Sequence, residues 1–294
     1  MIHQLITEWV GKAPVKQLCR VLEVSRSGYC AARQRGRRSP AACSDSVHVK
    51  AVFEASGCTY GSRRLSAALR AQGLDIGRHR CRTLMKANAL RPKWRRKFVH
   101  TTDSRHDLPV AGNVLDRQFM PETPNLAWVS DLTYIRTRSG WLYLAAVMDL
   151  YSRKIVGWAM APRMPAQLVC DALKMAIVSR QPAAGLIVHS DQGSQYASTE
   201  HAQLLQRHGL TASMSRKGNC WDNAVMERFF LNLKMERVWH RDYANHAEAM
   251  LDIGDYIVGF YNATRLHSTL GYCAPAEFER RQELLTDSGA LVTT

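Results

Sequence analysis

Three runs of strand length follow one another in the middle of the chain, and they constrain its fold more than any other feature. They comprise residues 125–135, 141–150 and 154–160 and mix β-branched, aromatic and aliphatic residues. The turns between them are short, so consecutive runs are expected to pair as antiparallel strands. The sequence therefore predicts a three-stranded meander.

Helical and strand patterns alternate after the meander. Residues 165–180 carry apolar residues at helical spacing, whereas residues 185–191 begin with a short, continuously apolar run. Residues 223–239 return to helical spacing, with apolar positions three and four apart. A buried strand between helices is typical of a sheet with helices packed on its faces. The predicted fold class is therefore α/β, with a mixed sheet.

Three acidic residues occupy special positions in these elements. Asp131 lies in the middle of the first strand run, Asp191 ends the apolar run, and Glu227 lies in the first turns of the next helix. Three carboxylates on one face of a mixed sheet can hold two divalent cations, which activate the attacking oxygen of a phosphodiester displacement and stabilise the leaving oxygen. Mg²⁺ or Mn²⁺ suits such oxygen ligands. All three are predicted as catalytic residues and metal ligands, although an isolated acid is more often structural.

A lysine follows the last of these acids on the same helix. Lys234 lies seven residues after Glu227, so both side chains are expected on one side of the helix. Its ammonium group would lie along the groove beside the acids and bind a phosphate of DNA. The alternative is a solvated lysine on an exposed helix face.

The chain is strongly basic, and its charge is clustered. It has 40 Lys and Arg residues against 25 Asp and Glu residues, a formal net charge of +15 in 294 residues. Such an excess favours a polyanionic partner. Four arginines lie within residues 33–38, and residues 91–97 hold Arg95, Arg96 and three further basic residues around Trp94. These clusters indicate contact with nucleic acid, although charge runs are also common in solvated linkers.

Two segments of the amino-terminal third have the size and pattern of helix-turn-helix units. In the first, residues 15–22 precede a turn and a second helix with a serine cap, where Arg26 and Ser27 take the positions of base-reading side chains. In the second, residues 62–72 and 78–89 flank a break bounded by glycines. A helical bundle with a charged surface and no sequence specificity is the alternative. The other basic residues predicted to contact DNA are Arg63, Arg64, Arg78, Arg80, Arg95 and Arg96.

The composition disfavours several other classes of protein. No apolar stretch of 18 residues is present and the amino terminus lacks a secretory signal pattern, so a cytoplasmic, nucleoid-associated protein is expected. The eight cysteines form no Cys-x-x-Cys pair, so neither a disulfide framework nor a zinc module is indicated. No serine or tyrosine stands in an Arg/His cluster of the kind that would indicate a covalent recombinase.

Three short sequence segments in the predicted core indicate which protein family the chain resembles. The segments WVSDLTYI (128–135), HSDQGSQY (189–196) and SRKGNCWDNAVMERFF (215–230) resemble the three catalytic blocks of OrfB-type DDE transposases of the third insertion-sequence family, whose catalytic core is similar to that of retroviral integrases. The resemblance covers nearly the whole chain. It implies a ribonuclease-H-like mixed sheet core with an amino-terminal, all-helical helix-turn-helix region. Further similar strings lie at 60–65, 101–110 and 261–275.

The patterns divide the chain into four parts. Residues 1–98 are predicted as a helical DNA-binding region, 99–124 as a linker, 125–240 as the catalytic core and 241–294 as a carboxyl-terminal helical extension. In the extension, two residues, Arg265 and His267, either contact DNA or pack against the core.

The resemblance implies a transposase that cleaves one strand at an element end and joins the resulting 3′-OH to another phosphodiester. Its partners would be double-stranded DNA, both the terminal inverted repeats and the target, and further copies of itself, because two ends must be held together. An upstream helix-turn-helix and coiled-coil product is expected as a fusion or partner. One alternative is a non-catalytic DNA-binding regulator or remnant. Another is a nuclease acting on RNA–DNA hybrids, which would leave the amino-terminal units unexplained.

Overall fold

The computed structural model describes residues 2–37, 44–93, 109–216 and 220–290 of the chain. Within these ranges no helix is long and apolar enough to cross a membrane. A π-helical segment, Tyr256–Asn262, continues the tenth α-helix. The strands are β1 (Ala127–Thr137), β2 (Gly140–Asp149), β3 (Ile155–Ala161), β4 (Ile187–Ser190) and β5 (Thr211–Met214). The α-helices are α1 (Ile2–Trp9), α2 (Val15–Val21), α3 (Arg26–Arg37), α4 (Ser44–Ala55), α5 (Ser62–Ala71), α6 (Arg78–Ala87), α7 (Ala166–Arg180), α8 (Thr199–Arg207), α9 (Ala224–Glu236), α10 (His246–Asp255) and α11 (Pro275–Ala290).

The amino-terminal helices form two groups of three, each around its own apolar core. In the first group, α1 to α3 bury Ile6, Cys19 and Tyr29 against one another. In the second group, α4 to α6 pack around a larger cluster that includes Leu65 and Leu69. The pairs α2–α3 and α5–α6 correspond to the two predicted units. The predicted all-helical amino-terminal region is therefore confirmed.

A five-stranded mixed sheet forms the centre of the remaining chain. Antiparallel pairing of β1 with β2 and of β2 with β3 confirms the predicted meander. Strands β4 and β5 run parallel to β1, so the order across the sheet is β3-β2-β1-β4-β5. The last pair between β1 and β4 is Val129 with His189. Beyond this pair, the edge of β1 that leads to the β1–β2 hairpin is not paired with β4. The α/β, ribonuclease-H-like fold class is confirmed.

Side chains of β1 alternate between two cores on opposite faces of the sheet. Trp128 packs with α7 and α8, whereas Val129 packs with α9, α10 and the π-helical segment. Gly157 in β3 allows α7 to lie close to the sheet, because a Cβ atom there would be 2.3 Å from the carbonyl oxygen of Ala172. Helices therefore cover both faces and leave the end of β4 and the middle of β1 accessible from one side.

The second half of the predicted linker packs on the core. Residues 94–108 lie outside the described ranges, and residues 109–124 contain no helix or strand. Leu115 is nevertheless buried in the core formed with α9, and its N–H donates to Ser213 Oγ at 3.1 Å. The polar, proline-containing sequence of this segment did not predict that it packs on the core. The four-part division of the chain stays a prediction.

A buried ion pair joins α9 to the carboxyl-terminal extension. The Nε and Nη2 groups of Arg265 donate to the two carboxylate oxygens of Glu236 at 2.8 and 2.7 Å. The Tyr256 hydroxyl donates to the same carboxylate at 2.7 Å. Arg265 is only 1% exposed, and His267 packs edge-on against Tyr261. Both residues whose role the sequence left open therefore pack against the core.

The second helical group docks beside this ion pair. The Tyr60 hydroxyl donates to the carbonyl of Thr264 at 3.1 Å and accepts from the Leu266 N–H at 2.8 Å. Arg64 Nη1 lies 4.0 Å from Glu236 Oε1. Charged and aromatic groups from the helical region, α9 and the extension thus share one interface.

Replacement of Arg265 by alanine should strongly destabilise the protein. The change leaves the Glu236 carboxylate buried without its main partner, which costs about 3–5 kcal/mol. Urea unfolding followed by circular dichroism measures the effect. Lys174→Ala, which removes an exposed ion pair with Asp171 on α7, is the matched control and should leave the midpoint almost unchanged. Equal midpoints for the two variants would contradict a structural role for the buried pair.

Two buried histidines are held in their neutral form. Burial lowers the pKa of His201 to about 4, although its Nδ1–H donates to the Tyr196 carbonyl. Burial, followed by the charge of Arg265, lowers the pKa of His267 to about 3. An unfolded chain binds protons at histidine near pH 6.5, so it takes up more protons than the folded chain below that pH. The stability contributed by the neutral rings is complete above pH 6.5 and is lost as the pH falls towards these values.

The free energy of unfolding should consequently decrease between pH 6.5 and pH 5. Each neutral histidine contributes a slope approaching about 1.4 kcal/mol per pH unit. His201→Gln and His267→Gln should each make the pH dependence shallower, whatever their effect at pH 7. Urea titrations at pH 7, 6 and 5 measure the slopes. Wild-type slopes in both variants would show that these rings are not the titrating groups.

Candidate active site

Two aspartates meet near the ends of neighbouring parallel strands. The register pairs Val129 of β1 with His189 of β4, and Asp131 and Asp191 each follow two residues later. Parallel strands advance equally per residue, so this register brings the two side chains to the same side of the sheet. Burial, and then the negative charge of Asp191, raise the pKa of Asp131 well above its usual range. The structure therefore brings the first two predicted acids together.

Backbone donors orient both carboxylates. The Leu132 N–H donates to Asp131 Oδ1 at 2.7 Å, and the Gly193 N–H donates to Asp191 Oδ1 at 2.9 Å. Such bonds stabilise the charged forms, but two like charges in a partly buried site remain costly. A hard divalent cation would relieve this repulsion and accept the same oxygens as ligands. The chemistry of the two aspartates therefore fits a divalent metal ion.

A buried hydroxyl pair supports the site from inside the sheet. Ser130 Oγ lies 3.0 Å from the Tyr196 hydroxyl. Burial, and then the charge of Asp131, raise the pKa of Tyr196 well above its usual range. Behind the loop that follows β4, Gln192 Nε2 donates to the Ser215 carbonyl at 2.9 Å. These bonds tie the loop carrying Asp191 to β1 and to the end of β5.

The third predicted acid is less tightly associated. Glu227 lies on the first turn of α9 with an exposed side chain. Its charge raises the pKa of Asp131 less than that of Asp191 does. Within the described part of the chain, no three His, Cys, Asp or Glu side chains lie close enough to hold a metal ion together. The expected cluster of three carboxylates is therefore not assembled in this conformation, and the role of Glu227 stays a prediction.

Lys234 lies beside the acids and is only partly exposed. Its Nζ is 4.6 Å from the centre of the Tyr134 ring, a distance at which a cation is attracted to the ring face. Burial lowers the pKa of Lys234, and the charge of Asp131 opposes that shift. The ammonium group therefore lies over an aromatic ring and is within range of the Asp131 charge, and its binding to phosphate stays a prediction.

Asp222, outside the predicted site, anchors the start of α9. Its buried carboxylate accepts hydrogen bonds from Arg216 Nε at 3.0 Å, Arg117 Nε at 2.8 Å and Asn113 Nδ2 at 3.1 Å. Hydrogen bonds from Arg216 hold the pKa of Asp222 well below its usual range. Because Asp222 lies two residues before the first residue of α9, these hydrogen bonds position the start of the helix that carries Glu227. Its partners are distant in sequence, apart from Arg216, so no local pattern indicated it.

Arg26 and Ser27, predicted to contact DNA through the first unit, lie on its surface. Both are exposed at the start of α3, the second helix of that unit. The Ser25 hydroxyl beside them accepts from the Gly28 N–H at 3.0 Å, as expected for a residue that caps a helix. Both side chains are therefore accessible, and their contact with DNA stays a prediction.

Arg63, Arg78 and Arg80 of the second unit are also exposed, whereas Arg64 is not. Arg80 Nε donates to Asp45 at 3.1 Å. Arg64 lies over the Tyr60 ring, with Nη1 4.0 Å from Glu236 Oε1, and its contact with DNA stays a prediction. The two remaining predicted contacts, Arg95 and Arg96, lie outside the described residues.

Three family models match the chain. An integrase core domain matches residues 121–220, and a second integrase core domain matches residues 208–275. Together they span the sheet, α9 and the ion pair with the extension. An HTH-like domain matches residues 43–98, which contain α4 to α6. This match falls on the second of the two predicted helix-turn-helix units.

Relatives match over nearly their whole length. The chain is 45% identical over 266 residues to the insertion element IS600 31 kDa protein of Shigella sonnei, covering 90% of this chain and 98% of the relative. It is 42% identical over 286 residues to transposase InsF for insertion sequence IS3A of Escherichia coli (strain K12), covering 96% and 99%. The solved HTLV-2 integrase catalytic core domain in complex with magnesium is 15% identical, with a TM-score of 0.43 over 54% of this chain and 98% of that chain. Because these relatives match over nearly their whole length, the chain belongs to the IS3 family of transposases, which are polynucleotidyl transferases of the DDE type.

Proposed function

We propose that Asp131, Asp191 and Glu227 form the site at which this transposase cleaves element ends and joins them to target DNA. The observation that carries the proposal is the juxtaposition of Asp131 and Asp191 across β1 and β4. Two carboxylates so close are costly unless a cation or a proton is shared between them. Two Mg²⁺ or Mn²⁺ ions, when bound, would supply Lewis-acid stabilisation of the attacking and leaving oxygens.

The protein's own groups have distinct tasks in this proposal. Asp131 and Asp191 would hold both ions, and the N–H groups of Leu132 and Gly193 orient the two carboxylates. Glu227 completes the ligand set from the first turn of α9. This assignment requires that turn to approach Asp131 when DNA binds, because Glu227 is exposed without DNA.

Lys234 is proposed to bind a phosphate of the DNA end. Its ammonium group lies over the Tyr134 ring and feels the charge of Asp131, which supports a position beside the reacting centre. A phosphate beside the aspartates needs a fixed positive charge to offset their repulsion. Lys234 is the basic residue of α9 that faces them.

The amino-terminal units are proposed to recognise the terminal inverted repeats, while the core also holds target DNA. Contacts are assigned to Arg26, Ser27, Arg63, Arg78 and Arg80, which are exposed, and to Arg95 and Arg96 on the sequence alone. A homo-oligomer follows from the need to hold two ends, and an upstream helix-turn-helix and coiled-coil product is proposed as fusion or partner. The bacterial nucleoid is the proposed place of action. A non-catalytic regulator is not favoured, because transposases match along the whole chain.

Asp131→Asn, Asp191→Asn and Glu227→Gln should each abolish strand cleavage and joining while leaving binding to element ends intact. Each change removes a metal ligand and keeps the side-chain volume. Asp131→Asn and Asp191→Asn should also keep or raise the melting temperature, because they remove a like-charge repulsion. Labelled element ends incubated with Mg²⁺ and resolved on gels measure the reaction, and calorimetry with Mn²⁺ measures metal binding.

Glu200→Gln provides the matched control for these variants. Glu200 is an exposed acid in the first turn of α8, away from the proposed site. This variant should cleave and join DNA like the wild type and bind Mn²⁺ equally well. Normal cleavage by any one of the three site variants would remove that residue from the proposed site.

Lys234→Ala should slow strand joining by about 1–3 kcal/mol of activation free energy, as expected for loss of a charge-assisted hydrogen bond to phosphate. Metal affinity should hardly change. Lys234→Glu should be slower still, because it adds a negative charge beside DNA and the aspartates. Single-turnover joining at two salt concentrations measures both variants, with Lys174→Ala as a control on an exposed helix face. Equal rates for all four proteins would leave Lys234 without a role in the reaction.

A further inference from the structure

A tryptophan at the tip of the β1–β2 hairpin is exposed to solvent. Trp141, directly after Gly140, is 47% exposed. In the register of the hairpin it lies opposite Arg136, which is also exposed. Both side chains emerge on one face, since residues opposite each other in an antiparallel pair share a face. A large apolar ring beside a guanidinium group on a hairpin tip indicates a binding surface.

This surface is continuous with the proposed active site. The Trp141 ring packs edge-on against Tyr134, with ring centres 5.0 Å apart. Tyr134 also contacts Lys234, whose Nζ lies 4.6 Å from the ring centre, and the charge of Asp131 acts on Lys234. Contacts between side chains therefore connect the hairpin tip to Lys234. The path from Lys234 to Asp131 crosses the edge of β1 that β4 leaves open, because Asp131 and Tyr134 point to opposite faces of the strand.

The chemistry along this path is that of a nucleic-acid track. Arg138 donates to Asp242 at 2.7 Å, and Arg241 lies 3.5 Å from Asp252, so both are neutralised in part. Arg136 lines the same clefts as Arg138 and makes no ion pair within the described part of the chain. Proteins that follow a nucleic-acid strand combine cations for the phosphates with aromatic rings for the bases. Arg136 and Trp141 supply one of each.

We propose that Arg136 and Trp141 form a second DNA contact, which holds the strand leading away from the reacting phosphate. Arg136 binds a backbone phosphate, and Trp141 stacks on a base that is unpaired near the reaction site. Arg136 lies five residues along β1 from Asp131, or roughly 17 Å. That length corresponds to about five nucleotide steps of duplex DNA. The contact rests on the proposed function, because Asp131 defines where the reacting phosphate lies.

Paired substitutions in the full chain test the contact. Trp141→Ala and Arg136→Ala should each slow single-turnover joining by roughly 5- to 150-fold, the range expected for loss of a base stack or a bound phosphate. Trp141→Phe and Arg136→Lys should retain most of the activity, because a ring and a cation remain. Arg207→Ala, which removes an exposed arginine from the end of α8, should behave as wild type. Melting temperatures verify that each variant folds.

Two further measurements do not depend on catalysis. Arg136→Ala should reduce the slope of log affinity against log salt for end binding by about one, as expected when one phosphate contact is lost. A photoreactive thymine analogue placed in turn at positions one to eight from the reacting phosphate should cross-link to the tryptic peptide containing Trp141, most strongly near position five. Unchanged salt slopes together with no cross-link to this peptide would overturn the proposal.

The outcomes also separate this inference from the proposed active site. If the acid variants are inactive but Trp141→Ala and Arg136→Ala join DNA like the wild type, the hairpin contact is wrong and the active site stands. If those two variants change the oligomeric state in gel filtration and leave DNA binding intact, the surface contacts another copy of the chain and the proposal is also wrong. If the acid variants remain active, the proposed site fails, and the salt slope and cross-link still decide the DNA contact.

Discussion

The buried ion pair between Glu236 and Arg265 is the contact on which the arrangement of the catalytic side of the molecule depends. It fixes the last residue of α9 against the carboxyl-terminal extension, and Tyr60 docks the second helical group at the same place. Helix α9 carries Glu227 near its start and Lys234 near its end, so a rotation of the helix would move both. A buried charge pair tolerates little displacement. If the two ions separate inside the protein, they lose the attraction that offsets the free-energy cost of their desolvation.

The carboxylates of this protein fall into two groups that differ in how completely their charge is compensated. Asp222 accepts hydrogen bonds from two arginines. Glu236 accepts two hydrogen bonds from the Arg265 guanidinium group and one from a tyrosine hydroxyl. Burial, and then the charge of Asp191, raise the pKa of Asp131. An acid that is paired with cations stabilises the fold, whereas two acids placed close together cost stability unless a cation or a proton binds between them. This contrast supports the assignment of Asp131 and Asp191 to the proposed site.

Three residues make contacts that the local sequence did not reveal. Arg64 lies in a basic segment that suggested contact with DNA, but its guanidinium turns towards Glu236. The sequence did not decide whether Arg265 contacts DNA or packs against the core, and in the structure Arg265 is almost wholly buried. Leu115 lies in a stretch that had the composition of a linker, and it fills part of the core. In each case the decisive partner is distant in sequence, so neither periodicity nor composition contains the information.

The kind and order of the core elements, and the element on which each predicted acid lies, could be predicted from the amino-acid sequence. Strand and helix periods are properties of a short stretch of chain, and they placed Asp131 on a strand, Asp191 after a buried strand and Glu227 at the start of a helix. Which of these carboxylates lie close together depends on the folded arrangement. The parallel register of β4 on β1 brings Asp131 and Asp191 together, while the setting of α9 leaves Glu227 exposed. Distances between carboxylates depend on register and helix packing, which are set by contacts between distant segments and are not encoded in local periodicity.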